Sequence, residues 1–481
     1  MVCALWLAGC AVGPNFKKPA APNVSGYTAT PLTATSGATN VFGGEAQRFV
    51  TGADIAGDWW TLFHSQPLND LISRALTNSP DLKSAQAALT VARENLLAGR
   101  GAFYPSVSAS FSASRNKTSE QIAPVPNADE FYYSLFTPQV SVSYAPDVFG
   151  LNRRTVESLK AQEEAARFQL AATHITLSAN VVLAAIQEAS LRAQIDATRQ
   201  LIAINANLIE VMRQQFAKGA ATHLDLATQE SQLAQSEAAL PPLLKQLAQQ
   251  RDALAALAGK FPSEDLPEHF ELSDLQLPQD LPVSLPSQLV GQRPDVRMAE
   301  ENLHAASAQV GIAAANRLPT ITLTANAGTM ALEAGQMFAD GSGFWTLAGN
   351  VAAPVFEGRT LLHQERAAKA AYVQAAEQYR STVLTAFQNV ADTLNALQQD
   401  ADALKSAAAA ANAAKVTLDL SRQKIRTGSD TAPLDLLNAE QSYQQAELNF
   451  IQAQANRYAD TAALFQALGG GWWHRADLPK N

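Results

Sequence analysis

The side chains able to do chemistry are few in this sequence, and none stand in a reactive pattern. The seven histidines (His64, His174, His223, His269, His304, His363 and His474) include no HExxH run and no pair four residues apart. That spacing would put two imidazoles on one helix face, so a metal centre is not expected. Asp340-Gly341-Ser342-Gly343 is glycine-rich but lacks the preceding strand and the lysine of a phosphate cradle; it reads as a surface loop. Two carboxylates do hold defined positions. Thr222-x-x-Asp225 fits a capping box, and Asp435 follows Pro433 by two residues in what reads as a helix's first turn. There a negative charge offsets the helix dipole by about 0.3–1 kcal/mol. No nucleophile, acid–base pair or cofactor cradle emerges, so the chain is expected to act through shape and not as an enzyme.

Its two cysteines, Cys3 and Cys10, cannot form a framework for 481 residues. Leu7-Ala8-Gly9-Cys10 ends an apolar run in small residues and is similar to the lipobox of bacterial lipoproteins. Residues 1–9 are then the remnant of a signal peptide, and Cys10 is the acylated anchor, the one covalent group expected. No Lys or Arg precedes Lys17, a departure from the usual basic leader. One acyl chain, at about 0.8 kcal/mol per buried CH₂, binds a membrane only marginally, so further anchoring is needed. The net charge of −9 gives no reason to expect nucleic acid as a partner. No run of 18 apolar residues is present, so a membrane crossing has to be made by strands.

The elements come in two printings. A shift of 214 residues carries Pro80-Asp81-Leu82 onto Pro294-Asp295-Val296, Leu89 onto Leu303 and Pro105 onto Pro319. In both copies a helical rhythm stops at a proline and becomes strict alternation. Ser106 to Ser114 alternates serine with Val107, Ala109, Phe111 and Ala113. Val140 to Tyr144, Thr320 to Ala327 and, more weakly, Leu347 to Ala353 repeat the device. Apolar on one side and small polar on the other suits a transmembrane barrel; a single soluble hairpin gives the same pattern. Neither 151–218 nor 359–427 contains a glycine or proline. Each reads as a helix about 100 Å long at ~1.5 Å per residue, with coiled-coil spacing at Ile195, Ile202 and Ile209.

The predicted organisation is an extended arm over 10–57, then a first repeat over 58–259. That repeat holds a helix, a hairpin at 105–146, a long helix at 151–218 and a return helix at 222–258. A proline-rich linker covers 260–290. The second repeat, 291–470, has its hairpin at 319–354, long helix at 359–427 and return helix at 432–468, followed by a tail over 471–481. A kink or bulge is expected at Leu240-Pro241-Pro242.

With these residues in view, the chain resembles the TolC-like outer-membrane efflux family, in its lipoprotein (OprM-like) branch. The lipobox carries the resemblance, as do the block from Asp58-Trp59-Trp60 to Asp81, Arg293-Pro294-Asp295-Val296, the two helical tips and Leu468-Gly469-Gly470-Gly471-Trp472. The fold this implies is mainly α with a small β part. Long coiled-coil-like helices form a trimeric α-barrel tunnel in the periplasm, joined to a twelve-stranded transmembrane β-barrel with four strands per subunit. Implied partners of the homotrimer are a periplasmic adaptor, an inner-membrane RND pump and outer-membrane lipids. The implied function is a passive exit duct for drugs or other small toxic compounds. A protein-secretion duct of the same architecture and a pore-free periplasmic scaffold are the alternatives. By the same resemblance, Leu434, Asp435 and Asp225 are candidates for a periplasmic gate, with Asn438 standing where the family commonly has an acid. Gly219, Ala220, Thr222, Gly428, Ser429 and Thr431 at the tips are candidates for adaptor contact.

Overall fold

The computed structural model describes residues 11–118, 131–426, 433–476 and 478. In chain order the elements are β1 (Arg48–Thr51), α1 (Gln66–Asn78), α2 (Pro80–Arg100), β2 (Ser106–Thr118), β3 (Phe131–Tyr144), α3 (Leu151–Ala217) and α4 (His223–Leu257). The second half contains β4 (Asp280–Val283), α5 (Pro286–Gln292), α6 (Pro294–Ala315), β5 (Thr320–Thr329), β6 (Gly343–Ala352), α7 (Thr360–Arg426) and α8 (Pro433–Ala467). The repeat is visible in lengths alone: α3 and α7 have 67 residues each, α4 and α8 have 35 each.

The chain divides into two compact units. The first comprises residues up to Pro19, Leu89–Ala166 and Ala299–Tyr379. Its sheet runs β2-β3-β5-β6, every neighbour antiparallel. The start of the N-terminal arm is bound firmly within this unit. The Arg154 guanidinium, whose side chain is 4 % exposed, donates to the carbonyls of Val12 (3.1 Å) and Gly13 (3.3 Å) and to Asn15 Oδ1 (2.8 Å). Phe16 lies flat on the His304 imidazole, centroids 4.3 Å apart, and Lys18 pairs with Glu300 at 3.1 Å. His304 itself bridges Glu301 (3.4 Å) and Glu157 (3.1 Å).

Those two carboxylates, Glu301 foremost, raise the His304 pKa above its ordinary 6.5. The folded state therefore binds the extra proton more tightly than the unfolded one. The clasp's contribution is full below about pH 6.5 and fades as pH rises through the raised folded value. Trypsin cleavage after Lys17, with each rate divided by that on a small free substrate at the same pH, is expected to be slow at pH 6 and to quicken through that rise. A His304→Gln chain, whose rate relative to the small substrate is expected not to vary with pH, is the matching control; equal normalised profiles for the two would remove the clasp.

The second unit comprises Ala20–Ala88, Arg167–Met298 and Arg380 onward. Its core gathers around Trp59, which is fully buried and stacks on Phe465 at 5.2 Å. Phe63 and the α1 residues Leu68, Leu71, Ile72 and Ala75, spaced along one helical face, are buried completely as well. Each of the larger side chains contributes of the order of 2 kcal/mol by leaving water, and the Ala75 methyl less than about 1. The arm is less irregular than its composition implies, because β1 pairs in parallel with β4 from the linker. Helix α4 continues through Pro241 and Pro242. Although it is not an uninterrupted apolar run, one stretch of α3 is apolar enough by composition to cross a membrane; 67 % of it is buried inside the chain. Two thirds of it thus faces other parts of the chain, so it reads better as a core helix.

The two sequence signatures meet in this unit. Arg293 grips Asp295 through two bonds (3.0 and 2.7 Å) and donates to Ala467 O at 2.8 Å, satisfying a carbonyl at the end of α8. Trp472 Nε1 donates to Gln292 O at 2.7 Å. Between them Gly469, Gly470 and Gly471 all take positive φ, at 95°, 58° and 65°. A Cβ on Gly469 would lie 2.9 Å from Gln292 O, and one on Gly259 would lie 3.0 Å from Asn78 O. Gly259 and Asn78 are the repeat counterparts of Gly469 and Gln292, so each repeat docks the end of its return helix on the same kind of surface.

Candidate functional site

Two features suit a conduit: a wall able to meet lipid and water, and turns where long helices reverse. The wall is the four-stranded sheet. Residues paired across strands share a face, and the pairing aligns faces over all four strands. Val107, Val142, Ala325 and Leu347 form one apolar row; Ala109, Val140, Ala327 and Trp345 form the next. The row between them is Ser108, Ser141, Asn326 and Thr346. The apolar face is not packed against a core: Val107 is 68 %, Leu347 74 % and Trp345 79 % exposed. A soluble hairpin would bury this face. Among the described residues β2 and β6 each pair on one side only, so the sheet ends in two open edges.

The turns lie in the second unit. At the first, Gly219 takes φ +72° in open space and Ala220 N–H donates to Gln215 O at 2.9 Å, closing the end of α3. Thr222 caps α4: its hydroxyl accepts from Asp225 N–H, while Asp225 Oδ2 accepts from the Thr222 N–H (2.8 Å) and hydroxyl (2.7 Å). The Thr222 hydroxyl, followed by its N–H, holds the Asp225 carboxyl below the usual range. Structure thus brings Asp225 together with Thr222, in the cap. At the second turn Gly428, Ser429 and Thr431 lie outside the described residues, as does Cys10 at the N-terminus. Leu434 lies in the first turn of α8 with its side chain outside them, and Asp435 and Asn438 are exposed on the same helix.

Just beyond Asp435 lies a pair not singled out from sequence. Leu418, Leu436 and Ala439 form a buried cluster flanked by Leu208 and Tyr443. One turn further on both helices, Arg422 Nη2 stands 3.6 Å from Glu440 Oε1, and Glu440 is 1 % exposed. Burial pushes the Glu440 carboxyl up, and Arg422 only partly restores it. The repeat carries the signal: Arg213 and Glu230, shifted by 209 and 210 residues, form the equivalent pair at 3.2 Å, exposed to solvent. Among the described residues no group of His, Cys, Asp and Glu could hold a metal ion.

The sequence profile of outer membrane efflux proteins matches residues 71–260 and 285–470, taking in both repeats. The chain belongs to the outer membrane efflux protein family. This efflux protein is 30 % identical to the outer membrane protein OprJ of Pseudomonas aeruginosa over 98 % of its own length and 95 % of the relative's. It is also 30 % identical to the pyoverdine export outer membrane protein OpmQ of Pseudomonas putida, over 88 % of this chain and 89 % of that one. Among solved structures, the outer-membrane channel OprN superposes with a TM-score of 0.86 at 25 % identity, covering 96 % of this chain and 100 % of the other. The efflux protein is therefore an outer-membrane channel with the TolC-like fold, and its two-faced sheet is the part suited to a membrane.

Proposed function

We propose that this channel is the exit duct of a tripartite, RND-type efflux system, working as a homotrimer that passes drugs or other small toxic compounds outward. The observation that carries the reading is the sheet with one largely apolar face, one largely polar face and two open edges among the described residues. A sheet that keeps open edges in lipid leaves backbone N–H and C=O groups unpaired, at several kcal/mol each. Edge-to-edge joining of identical copies removes that cost, and three copies of four strands give twelve. Exposed apolar residues along α7, Leu384, Val416 and Leu420 among them, support a subunit interface on the helical part as well.

The duct needs no energy source of its own. An inner-membrane pump supplies it, coupled through a periplasmic adaptor that meets the small residues of the tips: Gly219, Ala220 and Thr222 on one, Gly428, Ser429 and Thr431 on the other. Cys10 carries the lipid, in the outer membrane's inner leaflet. The binding of residues 12–18 within the strand-bearing unit supports an anchor near the foot of the sheet. Leu434 and Asp435, with Asp225 on the companion turn, narrow the periplasmic end; Asn438, lacking a charge, weakens the acidic ring there.

Reconstituted in planar bilayers, the protein is expected to form channels whose single-channel conductance rises about twofold or more in a Leu434→Ala/Asp435→Ala variant. Channels of unchanged conductance would remove the gate assignment, and absence of channels in the parent protein would remove the duct itself.

A further inference from the structure

The polar face of the sheet has a property that the alternation alone does not require. Among the described strand residues it carries hydroxyls, amides, small side chains and a few apolar ones such as Phe344, but no Asp, Glu, Lys or Arg. The sheet's two charged residues, Arg115 and Lys117, stand at odd positions of β2, on the face of Val107 and Phe111. There Arg115 donates to Ser134 Oγ at 3.0 Å, and Lys117 lies 5.7 Å from the Tyr132 ring centroid. Both basic groups are therefore turned away from the row of Ser108, Ser141, Asn326 and Thr346.

Selection by charge needs a fixed potential of one sign, supplied in pores by rings of carboxylates or of basic side chains. A hydroxyl supplies none. It rotates to offer hydrogen to an anion or oxygen to a cation, and an amide presents both ends at once. We propose that the strand-built section of this duct does not sort solutes by charge: anionic, cationic and neutral compounds of equal girth cross it equally well. The class of cargo admitted there is set by size. The inference rests on the reading of the sheet as the wall of a membrane duct, and its test keeps the two apart.

The test uses full-length Ser141→Cys and Val142→Cys proteins in lipid vesicles. Each is treated with a cationic (trimethylammonium-ethyl) and an anionic (sulfonatoethyl) methanethiosulfonate. Labelling of the peptide containing position 141 or 142 is followed by mass spectrometry, and each rate is divided by that on a small free thiol. Ser141→Cys is expected to react with both reagents at normalised rates within about threefold of each other, while Val142→Cys stays unlabelled. Adding Ser108→Asp, the cross-strand neighbour of position 141, is expected to favour the cationic reagent about tenfold, since one sign of charge in a confined space concentrates its counter-ion. A disparity above about threefold in the Ser141→Cys protein would overturn the charge-blind lining and leave the duct standing. Labelling at 142 with none at 141 would overturn the duct wall itself.

Discussion

Leu347→Arg is expected to strip the protein from the outer membrane, while Thr346→Arg, one residue away, leaves it there. Leu347 sits in the apolar row with Val107, Val142 and Ala325, and is 74 % exposed within the chain. Arginine on a barrel's lipid face costs about 2–4 kcal/mol near the membrane midplane. In the proposed homotrimer the penalty would apply three times, enough to compete with assembly. Thr346 pairs with Asn326 on the opposite face, where a long basic side chain meets water. Fractionation of membranes and solubilised trimer from cells expressing each variant measures the difference. Equal recovery of both in the outer membrane would mean that the apolar face does not contact lipid.

Gly471→Val should destabilise the second unit strongly. Gly471 has φ +65°, where a β-branched residue is disfavoured by roughly 1–2 kcal/mol. A Cβ there would stand 2.3 Å from Ala56 O and 2.6 Å from Ile55 O, both backbone atoms that cannot swing aside. Strain and displacement together should cost at least ~3 kcal/mol. The loss would also move Trp472 from Gln292 and loosen the end of α8. Thermal unfolding in detergent is the measurement. Gly101→Ala is the comparison, because Gly101 lacks positive φ and a Cβ there meets nothing within 4 Å. Similar midpoints for the two variants would show that the triple-glycine turn yields without cost.

These outcomes depend on features that differ in how far they can be read from residues alone. The serine alternation of Ser106 to Ser114 already divides β2 into two faces, because side chains in a strand change sides at every residue. The absence of glycine and proline from 151–218 and 359–427, ahead of the two tips, already implies two long helices, since nothing local interrupts them. Thr222 and Asp225 announce their cap because a capping box is made within four residues. Arg115 and Lys117, by contrast, interrupt the apolar face of β2 without changing its register.

What depends on distant partners was not legible. Period two assigns faces but not neighbours, so the joining of β3 to β5, which merges two hairpins into one wall, is a tertiary result. The pairing of β1 with β4 likewise escapes a pattern too short to carry periodicity. Arg293 is conspicuous beside Pro294, yet its role at the end of α8 depends on Ala467, 174 residues away. The two Arg–Glu pairs make the point most directly. Arg213–Glu230 and Arg422–Glu440 occupy matching places in the repeat, but one pair lies in water and the other has its carboxylate sealed off. By itself the sequence determined the faces of the strands, the length of the helices and their twofold repetition, because these follow from local backbone preference and side-chain order. Only the tertiary structure decided which strands share a sheet and which of two like ion pairs is buried, because desolvation and pairing arise between segments far apart in the chain.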